Sequence, residues 1–214
     1  IDNTYVCNAN SEKLLVEHFK RKPEEVHTVY IGVDENKFNL ELYNKNEILK
    51  ELKIEPNGKK TIGFICRISE QKRPFLLLKV LEKLKQKRED FLVIVGADGP
   101  WLADVKLETK KLKLTDNVVF LGNVKETEKI YAICDMTLNC SIKEGLALTA
   151  YESLSMGVPV VSADVGGQRE LITDEVGVIV PCLQEEKDIF DFNYKEEEIN
   201  PYVDGIVKIL DNLE

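Results

Sequence analysis

Histidine is nearly absent from this 214-residue chain, with only His18 and His27 present. Neither falls in the loops that follow the apolar runs described below, so a histidine dyad or triad is not expected. No G-x-x-x-x-G-K-[ST] occurs, which argues against a P-loop nucleotidase, and no G-x-G-x-x-G, which disfavours a nicotinamide cofactor. No D-x-D occurs either, so a carboxylate pair carrying a divalent metal onto a diphosphate is not evident. Eighteen apolar residues never run together, and the opening IDNTYVCNANSEK is not a basic-then-apolar signal. With 12 Gly and 7 Pro, collagen-like and disordered classes are excluded. The five cysteines (Cys7, Cys66, Cys134, Cys140, Cys182) form no C-x-x-C and have no histidine at ligand spacing, so reduced, buried thiols in a cytoplasmic protein are expected.

What is present is an ordinary globular composition, 43% hydrophobic and 31% charged, with a formal net charge of −9. That excess of acid disfavours general binding to nucleic acid or to an anionic membrane. Any anionic ligand must be met by a local basic patch. Because the chain opens at Ile1 and closes at Glu214 in an apparent helix, it is expected to be part of something longer.

From Lys60 onward, buried-strand runs alternate with helical periodicity. TIGFIC (61–66), FLVIVG (91–96), VVFLG (118–122), MTLNC (136–140), PVVSA (159–163) and VGVIV (176–180) read as strands. Helices are expected over 75–87, 101–114, 126–134, 147–156 and, briefly, 168–172. Such alternation predicts an α/β, Rossmann-like parallel sheet with helices on both faces. Ligands then lie beyond the carboxyl ends of the strands, so function is sought at Arg67, 96–100, 122–124, 141–144 and 163–167. Before Lys60, residues 5–8 and VHTVYIG (26–32) read as strands flanking a helix capped by Ser11. Residues 33–59 read as a polar connector with a short helix over 46–53, and Glu196–Glu198 as a solvated helix start.

The strand-end loops offer specific chemistry. Glu144 and Glu152 bracket EGLALTAYE, so both can face one ligand at the start of a helix, whose free N–H groups favour a phosphate. Carboxylates beside a phosphate repel it unless they accept from hydroxyls, and sugar and ribose hydroxyls meet that need. The spacing alone is weak and more readily describes a loop Glu and a solvated helical Glu. Arg67 and Lys72 sit in CRISEQKRP, within the most basic neighbourhood (Lys59, Lys60, Arg67, Lys72, Arg73), and suit a diphosphate; alone they also read as surface charge. Gly96, in GADGP, lets backbone approach a ligand or simply makes a tight turn, and GGQRE (166–170) reads the same way.

Taken in order, GFICRISEQKRP, IVGADGP, DNVVFLGNV, EGLALTAYESLSMGVPVVSADVGGQREL and GVIVP resemble the donor-binding, C-terminal half of a family 4 (group 1) glycosyltransferase of the GT-B fold, over most of residues 61–181. YIGVDENKF (30–38) resembles the crossing segment, with Ile31 where Asn is usual. The resemblance implies that residues 1–57 end the acceptor domain and cross to a donor domain at 58–214. It implies that Arg67 and Lys72 hold the donor diphosphate with the amides of Leu148 and Thr149, that Glu152 binds ribose hydroxyls and that Glu144 binds the transferred sugar. The base would lie against Asn123 and Val124. It implies a nucleotide-sugar donor, a UDP-sugar foremost, and no cofactor or bound metal. Transfer would proceed with retention, by a same-face mechanism in which the departing phosphate takes the acceptor proton. A saccharide or other hydroxyl acceptor would be held by a domain absent here, leaving this piece inactive alone, and polysaccharide biosynthesis is the expected setting. Leu146-Ala147 stands where the family commonly has Phe-Gly. The competing expectations are a non-catalytic module that keeps the fold, or a GT-B epimerase or phosphorylase relative.

Overall fold

The computed structural model describes residues 3–213; Ile1, Asp2 and the expected helical end at Glu214 lie outside them. β1 (Thr4–Val6), α1 (Ala9–Glu17) and β2 (Val26–Thr28) form a small leading unit in which the two strands pair in parallel. α2 (Lys45–Glu51) follows in the connector. The rest alternates β3 (Lys60–Arg67), α3 (Pro74–Lys85), β4 (Phe91–Asp98), α4 (Leu102–Lys111), β5 (Val118–Phe120) and α5 (Thr127–Ile133). It continues with β6 (Met136–Asn139), α6 (Leu148–Ser155), β7 (Val160–Ala163), α7 (Gln168–Leu171), β8 (Gly177–Val180) and α8 (Glu196–Asp211).

Six of these strands make one parallel sheet in the order β5-β4-β3-β6-β7-β8, the Rossmann-like α/β architecture expected from the alternation. The chain steps outward from β3 through β4 and β5, then returns to lay β6 to β8 on the other side. Strand order therefore reverses beside β3, and a crevice opens beyond the carboxyl ends there. Alternation within β4 divides the core: Val93 and Val95 belong to the cluster that holds Leu77 and Leu81 of α3 with Tyr202 and Ile206 of α8, while Leu92 and Ile94 belong to the one that holds Ile130 and Ile133 of α5. Burying each such aliphatic side chain contributes about 1.5–3 kcal/mol.

Four local expectations change. Asn8, not Ser11, caps α1: its backbone is extended and its Oδ1 accepts the Ser11 N–H at 2.7 Å. The strand expected over 26–32 ends at Thr28 because β1 offers only three residues to pair with it. The connector is not merely polar, since Phe38, Ile48 and Ile54 are buried in the second core. Glu196 does open α8 as expected, but Glu198 is buried instead of solvated.

Candidate functional site

At the carboxyl ends of β3, β4 and β5, beside the start of α6, lies an open cleft of about 870 Å³. Of the nine residues singled out above, Arg67, Gly96, Asn123, Val124, Leu148, Thr149 and Glu152 line it together. Lys72 and Glu144 are not in the lining; they form an ion pair at its edge, Nζ against Oε1. The Lys72 charge still reaches the cleft wall, where it opposes the burial that holds the Cys66 thiol well above its ordinary value.

Each element positions its part for a local reason. β3 ends at Arg67, which is exposed and makes no side-chain hydrogen bond or ion pair among the described residues. Its neighbour across the strand pair is Asp98, whose carboxylate turns back to accept the Gly99 N–H at 2.7 Å. Gly99 has φ +155°, and a Cβ there would lie 2.3 Å from the Ile68 carbonyl oxygen, so only glycine lets the two strand ends meet. α6 begins without a capping side chain, because its N-cap is Ala147, leaving the first amides of Leu148 and Thr149 free to take an anion. Ala147 has an ordinary extended backbone (φ −75°), so no glycine is needed there.

Glu152 lies on the second turn of α6, half-buried in the cleft wall. Tyr131, fully enclosed on α5, donates its hydroxyl to Glu152 Oε2 at 2.8 Å; no described residue bonds Oε1. Burial raises the carboxyl above its ordinary range, against the opposing pull of the Tyr131 bond and the Lys37 charge. Lys37 comes from the connector, 3.0 Å from the nearly buried Glu128, and the Phe38 ring meets the Tyr131 ring edge-on. Tyr131, Lys37 and Glu128 carry no motif in the sequence. Tyr131 read only as an apolar-face residue of a helix, and the connector's contact with α5 has no local signal.

The basic neighbourhood of the sequence is dispersed by the fold. Lys59 and Lys60 stand at the opposite end of β3, with Lys59 donating to the Asp116 carbonyl at 2.6 Å. Arg73 is buried, and Lys72 is neutralised by Glu144. Among the described residues that leaves Arg67 as the one unpaired cation in a lining that also carries Asp98 and Glu152. The Gly166-Gly167 turn lies behind the Glu144 loop: a Cβ on Gly166 (φ +57°) would fall 2.1 Å from the Glu144 carbonyl oxygen, and the Gly167 N–H donates to the Gly145 carbonyl at 2.9 Å. Leu146 packs where a Cβ on Gly167 would be. The leading unit grips the same loop, with Asn8 Nδ2 donating to the Gly145 carbonyl at 2.9 Å and Asn10 Nδ2 to the Gly166 carbonyl at 2.6 Å. Among the described residues no helix is long and apolar enough to cross a membrane.

The family model for glycosyl transferases group 1 matches residues 44–189. Alpha-monoglucosyldiacylglycerol synthase of Streptococcus pneumoniae is 29% identical over 176 residues, covering 80% of this chain and 40% of that protein. The lipopolysaccharide core biosynthesis mannosyltransferase LpsB of Rhizobium meliloti is 33% identical over 157 residues, covering 70% of this chain and 44% of that protein. The chain thus spans less than half the length of these relatives. Among solved structures, HepE of Anabaena in complex with UDP superposes with a TM-score of 0.76 at 17% identity, over 100% of this chain and 60% of that one.

Proposed function

The chain belongs to the group 1 glycosyl transferases, and on that premise we propose that its cleft holds the nucleotide diphosphate of a sugar donor, a UDP-sugar foremost. The observation that carries the reading is the convergence, in one cleft, of an unpaired guanidinium, an uncapped helix start and a carboxylate with one open oxygen. An anion with hydroxyls on both sides satisfies all three. Arg67 and the amides of Leu148 and Thr149 hold the diphosphate, with Lys72 joining from the edge. Glu152 accepts from the ribose hydroxyls, and Glu144 accepts from the transferred sugar. The base lies against Asn123 and Val124, read largely by backbone, with the Gly96 backbone in the same lining; a Cβ on Gly96 would strike the buried Ile130 side chain of α5 at 2.4 Å, so its glycine serves the packing of α5 behind the cleft. The choice of uridine is supported by the neighbour solved in complex with UDP.

The reaction follows as transfer of a sugar with retention, the leaving phosphate being stabilised by side-chain cations and backbone amides without a metal. The acceptor, a saccharide or other hydroxyl compound, is held by residues outside this chain, so the chain alone binds donor but transfers poorly. The five cysteines are all free, in keeping with the cytoplasmic setting expected. Calorimetric titration of the chain with UDP, GDP and ADP tests the reading. UDP binding at micromolar to low-millimolar levels supports it, and a folded chain that binds none of the three overturns it.

A further inference from the structure

Three consecutive residues of the turn between β3 and α3 each reach the loop after β6. The Gln71 carbonyl accepts the Ile142 N–H at 2.9 Å, and its Nε2 donates to the Lys143 carbonyl at 2.8 Å. Lys72 pairs with Glu144, and Arg73 Nε donates to the Cys140 carbonyl at 2.6 Å. Arg73 is the unusual member. Its backbone is left-handed (φ 46°, ψ 56°), where glycine is the ordinary occupant, and its side chain is fully enclosed. Its partner lies 125 residues away: Nη1 donates to Glu198 Oε1 on α8, an oxygen that also accepts the Leu183 N–H at 3.3 Å. Nη2 has no partner among the described residues.

Stability does not account for this arrangement. Glycine at 73 would remove the backbone cost, and a buried ion pair is as a rule no more stable than apolar residues of similar volume. What the pair does provide is placement. Arg73 is held from one side by the β6 loop and from the other by α8, and it follows directly on Lys72. We propose that Arg73 and Glu198 are positioning residues that hold the Lys72 ammonium at the cleft edge, so that α8 governs the grip on the donor diphosphate. The inference rests on the donor-site reading above.

Because Lys72 meets only phosphate in that reading, the test compares UDP with uridine, titrated by NMR into the chain and into R73G/E198Q. That variant relieves the left-handed strain and leaves no unpaired buried charge. Its UDP affinity should fall about tenfold while its uridine affinity stays within about twofold, the size expected for losing one charge-assisted hydrogen bond. In a Lys72→Ala background the same double change should cost nothing further, a coupling that a merely structural role would not produce. If R73G/E198Q fails to fold, E198Q alone, isosteric with the native side chain, is read by the same UDP-to-uridine ratio. An unchanged ratio, or a loss that persists without Lys72, overturns the proposal. A wild-type chain that is folded but binds no UDP removes the donor-site reading itself, so the two failures are told apart.

Discussion

Asp135 and Glu152 are both half-buried carboxylates, at opposite ends of the same sheet, and they are treated in opposite ways. Asp135, at the amino end, is saturated: Oδ1 accepts Lys45 Nζ at 2.8 Å, while Oδ2 accepts the Thr61 N–H at 2.6 Å and its hydroxyl at 2.9 Å. Burial pushes this carboxyl up, but those partners outweigh it and hold it below its ordinary value. Glu152, at the carboxyl end, has one hydroxyl on one oxygen, and there burial wins. A saturated carboxylate joins elements together, here the connector to β3, whereas one left partly unpaired has capacity to spare for a ligand. The contrast separates a structural end of the sheet from a working end.

The largest expected effect falls on the structural end. Asp135→Ala removes three hydrogen bonds at once and should lower the unfolding free energy in urea by about 2–3 kcal/mol, with UDP affinity unchanged within about twofold; a matching loss of binding would erase the distinction. Next, at the working end, Arg67→Ala should weaken UDP about thirtyfold with an unaltered urea midpoint. Equal damage to stability would mean that Arg67 is a structural side chain after all.

Protons sharpen the comparison further. Asp135 is depressed, so its contribution is complete above the unfolded-state carboxylate range and is lost as pH falls through its lower folded value. Glu152 is raised, so its ionised form costs stability as pH climbs from the ordinary value through the raised one. Glu152→Gln should therefore not destabilise the chain at neutral pH. Ligand binding runs the other way, since accepting from ribose hydroxyls requires the ionised carboxylate. Relative to Glu152→Gln, wild-type UDP affinity should fall as pH drops from neutral through the raised Glu152 range. Parallel pH profiles for the two proteins would count against the role given to Glu152. The smallest effect is expected for Glu144→Gln, which releases Lys72 and should tighten UDP by no more than about threefold; a marked weakening would show Glu144 supporting the diphosphate site instead of opposing it.

Much of the main sheet was legible because its strands are continuous apolar runs and its helices carry period-3.6 faces, signals that are local. The strand-end loops followed from topology, which put Arg67, Gly96, Asn123 and Val124 in one cleft, while Glu152 came from its spacing to Glu144 and Leu148 and Thr149 from the family resemblance. The rest depended on partners remote in the chain. VHTVYIG has the composition of a long strand, but its length is set by the three residues of β1 that face it. Glu198 looks like its two exposed acidic neighbours until Arg73 is placed beside it. Tyr131 shows only apolar periodicity, and its hydroxyl gains a role when α5 lies against α6. Counting basic residues near Arg67 misled for the same reason, because a run of charge in sequence is divided among both ends of a strand and the interior.

The most direct measurement is a crystal structure of the chain soaked with UDP. The account requires the diphosphate between the Arg67 guanidinium and the first amides of α6, with the ribose hydroxyls on Glu152 Oε1. UDP bound elsewhere, or seated in the cleft with its ribose away from Glu152 and Arg67 directed into solvent, would contradict it.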